Sequence, residues 1–552
     1  MKDRKTLAWL MQLNRAQRPR IWLLAAALTL MALFSVAVAV LTRFVVDGAL
    51  GGIDASFWRY AALLAGAGVG QILLHFLCRH LTVDIAAGVT IRMQTLGFRK
   101  ILRKDYSAVG KYHSGVLLSR LNRDVEVVAT GMTDILPGVL STGVRLIAAF
   151  AAVCVIDLRL ALTFLALGVA AMVGAAILRR KLKALHRAEQ EASERVSGFM
   201  QESLENLVMI KTFGAEGVMD ARAKELQAAR RAAIDRRKRY GALMNMLMNT
   251  AFYGGYILGL IWGAVQIATQ TITPGMFTSV IQLLGQIERP LTTISGYVPQ
   301  AAAMFASAER IREILDLPDE ELKNRIDRGA YSDLTEIRAE DIAFSYDREK
   351  VFEHADFTLK KGEFAVLTGI SGIGKSTLMK LLLGVYPPDG GTLRAVFSDG
   401  GEVPLGSGAR PLFAYVPQGN FLLSGTLREN VCMTRPDASE EEIARALYIS
   451  DAAEFVAAMP EKIDTVIGER GVGLSEGQAQ RIALARALLL DAPILLLDES
   501  TSALDEETER RILTNLRGMT DKTCLLISHK KAALEVCDSV YHIVDGRIER
   551  IV

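Results

Sequence analysis

A chain of 552 residues is long enough for two or three domains, each burying a sizeable core. Hydrophobic residues make up 51% and charged ones 23%, and mean hydropathy is positive, which argues against a wholly soluble chain and calls for a membrane domain. The net charge of +3 carries no nucleic-acid signature, so no nucleic-acid partner is expected; five scattered cysteines (Cys78, Cys154, Cys432, Cys524, Cys537) with no metal spacing point to reduced thiols.

The chain opens on a basic, amphipathic stretch, and residues 1–18 are expected to lie along the cytoplasmic membrane surface as an interfacial helix. The first apolar run is too long for the core of a cleavable signal. Six segments meet the roughly 20-residue apolar length of a membrane-spanning helix: Ile21–Val46, Phe57–Cys78, Ile135–Ile156, Leu158–Leu178, Ala242–Thr269 and Gly275–Val298. Basic residues set their orientation. Arg99, Lys100, Arg103 and Lys104, then Arg179 to Lys183 and Arg230 to Arg239, fall in the two long connections, whereas the opposite connections are short and nearly free of Lys and Arg. Both termini are therefore expected to face the cytoplasm.

The two long connections keep a helical pattern, as if the spans ran on out of the bilayer as rods, with one break near 106–115 and another near 212–217. A rod with a short turn at its tip can transmit a push from a soluble domain; the plainer reading is a solvated charged helix. In the sixth span Ser279, Gln282, Gln286, Arg289, Thr293, Gly296 and Gln300 share one helical face. Such a stripe faces either a watery cavity or a neighbouring helix, because lipid would make it too costly. Glu288 lies about 100° from Arg289 around the helix, and Arg145 in the third span is a candidate partner for Glu288. His75 in the second span reads as a packed, hydrogen-bonded histidine. The membrane domain is assigned to residues 19–317, a charged linker to 318–335 and soluble α/β structure to 336–552.

Within the soluble part, EFAVLTGISGIGKST (Glu363–Thr377) reads as a buried strand, a loop satisfying G-x-x-x-x-G-K-[ST] and the start of an apolar helix. The alternative, a glycine-rich surface turn, lacks a reason for the strand and helix on either side. Gly369, Gly372 and Gly374 let the backbone bend with its N–H groups inward, and Ser371 and Thr377 complete the expected ATP-phosphate site. Lys375 can reach the β- and γ-phosphates, and Ser376 can offer its hydroxyl to Mg²⁺ at the positive end of the helix. Downstream, PILLLDES (Pro493–Ser500) reads as a central parallel strand delivering Asp498 to the Mg²⁺ shell and Glu499 to the attacking water as general base. Two acids capping the next helix are the structural alternative.

Between these motifs, Leu474-Ser475-Glu476-Gly477-Gln478 resembles the signature loop of the ATP-binding cassette family, and further landmarks follow in order. The resemblance implies that Ser475, Gly477 and Gln478 grip the γ-phosphate of a nucleotide held by a second subunit, so that two cassettes close head to tail over two ATP molecules. It implies that Tyr346 lies under the adenine, that Gln418 touches both the metal shell and the membrane domain, that Asp505 in Ser502-Ala503-Leu504-Asp505 links the two sites, and that His529 contacts the γ-phosphate. Ser114-Gly115 through Asp124, and Lys211 to Glu216, resemble the intracellular loops of exporter-type members, and Thr465–Gly471 resembles a short exporter loop, although Val466 stands where an acidic residue is usual. Glu476 stands where glycine is commonest. In a helix's first turn it can point outward and favour the dipole, and it is expected not to disable the site, so the purified chain alone should turn over ATP.

The implied fold is a six-helix all-α transmembrane domain with long cytoplasmic extensions, followed by an α/β P-loop NTPase. The implied function is an exporter-type half-transporter, active as a homodimer or heterodimer, that uses ATP and Mg²⁺ to move amphipathic or hydrophobic small molecules, lipids or peptides by alternating access. The setting this suggests is a bacterial cytoplasmic membrane, with the ATPase in the cytoplasm. Gln282, Gln286, Glu288, Arg289 and Arg145 are the candidate substrate-path residues. The alternatives are a membrane-bound ATPase that gates a channel or regulates a partner, and an exporter-fold protein that carries its substrate inward.

Overall fold

The computed structural model describes all residues except Met1, Asp347, Arg348, Asn420, Phe421, Glu469, Arg470 and Thr520; the side chains of 2–4, 167, 169–180, 248, 251, 252, 288, 289, 291, 292 and 295 also lie outside the description. Two compact units result, one of Met1–Arg99 with Ser114–Leu315 and one of Lys100–His113 with Asp316–Val552.

The first unit is helical: α1 (Lys2–Leu13), α2 (Arg18–Gly51) and α3 (Ala55–Ile101) come first. The short α4 (Tyr106–Val109) belongs to the second unit, after which α5 (Ser114–Ser119) runs through a π-helical turn at Arg120–Asp124 into α6 (Val125–Ile156). Then follow α7 (Leu158–Glu205), α8 (Leu207–Thr212), α9 (Glu216–Ala268) and α10 (Pro274–Leu315). At 1.5 Å per residue, the 47 residues of α3 span about 70 Å, against a hydrocarbon core of about 30 Å. α7 and α9 are longer still, so these are the rods the sequence suggests. Among the described residues, Arg15–Gly51, Ala55–Ile101 and Ser114–Ile156 are long and apolar enough to cross a membrane, and Tyr253–Ala268 is a shorter apolar helix. The other expected spans lie on α7, α9 and α10, each partly outside the described side chains.

Short connections are fixed by caps. Asp157 accepts from the Leu160 amide (2.9 Å) and starts α7 one residue after α6 stops. Asp47, near the end of α2, accepts from the Gly275 amide (2.8 Å) and the Thr273 hydroxyl (2.7 Å), capping α10 from another helix. At the N-terminal end of α6, Asp124 accepts from Arg310 Nε (2.9 Å) and from Ser307 Oγ (2.9 Å), which ties the π-turn to α10. The N-terminal segment is two pieces rather than one, because a 3-10 turn at Arg15–Gln17 separates α1 from α2; Leu10 of α1 is fully buried among Ile21, Val128, Met304 and Ala308. The first rod break also comes earlier than its sequence suggests: α3 ends at Ile101, and Asp105 caps the four-residue α4 through the Ser107 amide (2.7 Å).

The second unit carries twelve strands among the described residues. They are β1 (Leu334–Tyr346), β2 (Glu349–Lys360), β3 (Phe364–Thr368), β4 (Gly390–Phe397), β5 (Glu402–Pro404), β6 (Phe413–Val416), β7 (Gly425–Thr426), β8 (Val466–Ile467), β9 (Ile494–Asp498), β10 (Thr523–Ile527), β11 (Ser539–Val544) and β12 (Arg547–Arg550). Its further helices are α11 (Lys375–Leu382), α12 (Leu427–Val431), α13 (Glu440–Ile449), α14 (Ala453–Ala457), α15 (Glu476–Leu489), α16 (Glu506–Arg517) and α17 (Lys531–Val536). Six strands form one sheet in the order β12-β11-β3-β10-β9-β6, parallel except for β12, while β2-β1-β4-β5 make an antiparallel sheet and β7 pairs with β8. Side chains alternate across the six-stranded sheet and give it two cores. Val366, Leu495, Leu497 and Leu526 pack with Ile482 of α15 and Ile512 of α16; Leu367, Leu496, Leu525 and Ile527 pack with Leu378 of α11 and Phe357 of the antiparallel sheet. Both faces of β3 and β9 are thus buried, and the polar ends of these strands are where chemistry can be exposed.

Candidate nucleotide and metal site

Gly369, Ser371, Gly372 and Gly374 form the loop between β3 and α11, and Lys375, Ser376 and Thr377 are the first residues of that helix. Gly374 is the N-cap with φ +113°, and a Cβ there would come within 2.4 Å of Val351 Cγ1, so both backbone and space require glycine. Lys375 is only 5% exposed, and its Nζ donates to the carbonyls of Gly369 (2.6 Å) and Ile370 (2.9 Å). Among the described residues it has no ion-pair partner. A buried cation held only by carbonyls, at a helix N-terminus, fits an incoming phosphate.

The metal side is built on Asp498, 1% exposed at the end of β9. Ser376 Oγ donates to its Oδ1 (3.0 Å) and Tyr415 OH donates to its Oδ2 (3.1 Å). Burial pushes the Asp498 carboxyl up, against the two hydroxyl donors, and burial together with the neighbouring carboxylate pushes the Tyr415 phenol well up as well. The next residue, Glu499, has φ +49°, and its Oε2 accepts from Gln418 Nε2 (2.7 Å). Gln418 therefore touches the general-base candidate directly. Oxygen donors from Ser376, Asp498 and Gln418 match the hard, partly hydrated coordination of Mg²⁺, which takes one or two protein carboxylates and completes its shell with other oxygens, phosphate and water. No cluster of three His, Cys, Asp or Glu side chains exists among the described residues to make an all-protein cage.

Tyr346 ends β1 half-buried, its hydroxyl 3.3 Å from Thr377 Oγ1. Its ring is edge-on to Phe344 (4.9 Å) and Tyr386 (5.5 Å), and Tyr386 in turn is edge-on to Tyr106 of α4 (5.8 Å). Ser475 and Gln478 form a reciprocal capping box on α15: Ser475 Oγ accepts from the Gln478 amide (3.3 Å) and Gln478 Oε1 accepts from the Ser475 amide (2.9 Å). Both Ser475 and Glu476 are exposed. Gly477 is pressed against the 502–505 loop, where a Cβ would stand 3.1 Å from the Ala503 carbonyl. Asp505 caps α16 by accepting from the Thr508 amide (2.9 Å), which holds its carboxyl below the usual range. His529 follows β10 and is exposed.

Several residues that carry this geometry escape the motifs. Gln480 donates to Ser502 Oγ (3.0 Å) and accepts from the Ala503 amide (3.2 Å), while Lys530 donates to the carbonyls of Thr501 (2.8 Å) and Leu504 (2.7 Å). Together they hold the loop that Gly477 abuts. Tyr415 was visible only as the residue before Val-Pro-Gln. In the helical unit, Gln282, Thr293 and Gln300 are exposed and Gln286 half-exposed, but Ser279 is fully buried and so leaves the stripe. Arg145 is half-buried, and Glu288 and Arg289 fall outside the described side chains, as do Glu469 and Arg470 of the 465–471 loop and Asn420 and Phe421 after Gln418.

Comparison with known proteins places this geometry among relatives. Residues 21–291 match the family described as ABC transporter transmembrane region, and residues 352–502 match the family described as ABC transporter. The ATP-dependent lipid A-core flippase of Vibrio vulnificus (strain YJ016) is 28% identical over 520 residues, 92% of this chain and 88% of that protein. The protein of the same name from Syntrophus aciditrophicus (strain SB) is 29% identical over 486 residues, 86% and 78% of the two chains. A solved bacterial Atm1-family ABC exporter with ATP bound has the same fold, with a TM-score of 0.80 at 23% identity over 97% of this chain and 95% of that one.

Proposed function

The chain belongs to the ABC transporter family, with its transmembrane region ahead of its ATPase in one polypeptide, and from that premise we propose that it is a homodimeric lipid exporter of a bacterial cytoplasmic membrane. It is an ATP-driven transmembrane transporter of the exporter type, and its hydrolysis of ATP is coupled to transport. The observation that carries the reading is a complete hydrolytic set in one chain: Lys375 for phosphate, Ser376 and Asp498 for the metal, and Glu499 with Gln418 for water. A self-sufficient chain favours pairing with a copy of itself. The names of the flippase relatives support a lipid cargo, and so do the exposed Gln282, Thr293 and Gln300 on α10, whose polar face suits a headgroup while the rest of the helix suits an acyl chain. The basic residues of the long connections support a cytoplasmic ATPase.

In this reading Lys375 and the loop amides hold the phosphates, Tyr346 supports the adenine, and Ser376 and Asp498 hold Mg²⁺. Bound Mg²⁺ would neutralise charge developing on the transferred phosphoryl group. Glu499, turned toward the site by its left-handed backbone, accepts the proton of the attacking water, and Gln418 fixes the carboxylate that does so. Ser475 and Gly477 of a second copy close the far side. The test is reconstitution in vesicles containing fluorescent phospholipid and glycolipid probes. ATP-dependent movement of lipid to the leaflet opposite the ATPase is expected; ATP turnover with no net lipid movement across the panel would remove the lipid assignment.

A further inference from the structure

The two oxygens of Asp498 have different donors. Ser376, itself a candidate metal ligand, holds Oδ1, whereas Oδ2 is held by Tyr415, whose ring comes from β6 and has no place in the phosphate or metal set. β6 and β9 are parallel neighbours with Tyr415 paired to Leu496, so the two backbones are locked in register and the phenol reaches along the sheet to the end of β9. Asp498 has almost no solvent to satisfy a free lone pair, and without the phenol its carboxylate could rotate about its last torsion. Tyr415 also lines a cavity of about 600 Å³, together with Ser376, Gln418, Asp498, Leu102 and Tyr106.

We propose that Tyr415 is a positioning residue for the metal: its hydroxyl fixes the Asp498 carboxylate in the one rotation that offers its remaining lone pairs to Mg²⁺. The inference rests on the assignment of Asp498 to the metal shell. A partner that orients a metal ligand changes metal affinity about 10- to 100-fold when it is lost. Tyr415→Phe removes the donor and keeps the ring.

The experiment measures binding of a fluorescent ATP analogue to full-length protein in the slowed Glu499→Gln background, with Mg²⁺ and then with EDTA. Tyr415→Phe is expected to weaken binding about tenfold with Mg²⁺ and less than twofold with EDTA. Equal losses in both conditions, or no loss in either, would overturn the proposal, since a ring that merely packs the site affects nucleotide with and without metal alike. Asp498→Asn measured in parallel separates the two layers of the argument. If it too leaves the Mg²⁺ dependence untouched, the metal assignment of Asp498 is what fails. Should Tyr415→Phe not accumulate, 3-fluorotyrosine placed at 415 alone keeps the hydroxyl. Its ¹⁹F resonance is expected to move when Mg²⁺ is added to the ATP-loaded protein, and a resonance indifferent to Mg²⁺ overturns the proposal.

Discussion

Glu499 sits in left-handed backbone, at φ +49°, where a non-glycine residue costs about 1–3 kcal/mol and persists only if its surroundings impose it. The imposing context is β9, buried on both faces up to Asp498, followed by a turn that aims the Glu499 carboxylate at Gln418. The cost is consistent with a residue placed for chemistry. Replacing Glu499 by Gln keeps size and backbone but removes the proton acceptor. ATP binding should stay within about twofold while turnover falls by about two to four orders of magnitude, measured by nucleotide binding and phosphate release on the same preparation. A second residue-scale effect concerns pH. Asp538 accepts from both terminal nitrogens of Arg517 and, at 2.9 Å, from the Phe364 amide that begins β3; the Arg517 pairing, with help from that amide, holds its carboxyl below the ordinary range. A depressed folded value means that the contribution is present above the unfolded carboxylate's pKa and is lost as pH falls through the folded one. Amides of β3 should therefore lose exchange protection on acidification below about pH 4. Asp538→Asn should show reduced protection already at neutral pH, by about 1 kcal/mol for the weakened pair at this part-exposed site, and a flatter response to acid.

At the scale of elements, the phosphate loop was legible because strand, loop and helix are contiguous and glycine has no substitute where φ is positive and a Cβ would strike Val351. The expected spans on α2, α3 and α6 were legible for a similar reason, since apolar length is a property of continuous segments. What was not legible comes from pairs far apart in the chain. Lys530 grips the 501–504 carbonyls, Tyr415 reaches Asp498, and residues 103–105 pair with the start of the linker: the Asp105 amide donates to Pro318 O (3.0 Å), the Glu320 amide to Arg103 O (2.8 Å), and Lys104 Nζ meets Asp319 at 2.6 Å. No local pattern encodes such partners. The linker's composition shows only its charge, yet Glu320 holds Arg410 through two bonds (2.9 and 2.6 Å), and Arg410 donates to the carbonyls of Leu383 (2.9 Å) and Gly384 (3.1 Å) at the end of α11. The helix that begins at the phosphate loop is thus capped at its other end by an arginine the linker holds in place. Arg410→Ala should free those carbonyls and leave Glu320 unpaired, costing about 2–3 kcal/mol locally. Hydrogen exchange would report this as faster exchange in the last turn of α11 and in 318–320. Unchanged protection there would mean that the linker is not a fixed part of the second unit.

In the proposed homodimer the catalytic site would be shared between two copies, and what one chain leaves exposed favours this arrangement. Ser475 Oγ accepts a single hydrogen bond, from the Gln478 amide, and the residue stays exposed, while Lys375 is buried beside carbonyls and has no ion-pair partner among the described residues. The exposed Ser475 would offer a donor to a phosphate and the buried Lys375 would hold one, and a symmetric pair of chains would bring each to the other twice. Such a shared site has a consequence that a self-contained one lacks. Lys375→Ala and Ser475→Ala proteins, assembled separately, should each lose nearly all ATP turnover, since every site in either homodimer carries the lesion. Co-expressed in equal amounts, half of the dimers would be mixed, and each mixed dimer would have one site with both residues intact and one with neither. Each mixed dimer should then turn over ATP at about half the wild-type rate if the two sites act independently, and more slowly if both must be occupied for the cycle to run. The measurement is phosphate release after purification on two different affinity tags, so that only mixed dimers are assayed. Recovery of activity in those dimers requires Lys375 and Ser475 to act on the same nucleotide from different chains. Full loss, with both proteins folded and nucleotide still bound by the Ser475→Ala chain, would place the site within a single protomer or demand two intact sites at every turnover, and a mixed dimer of wild type with the double variant would tell these apart.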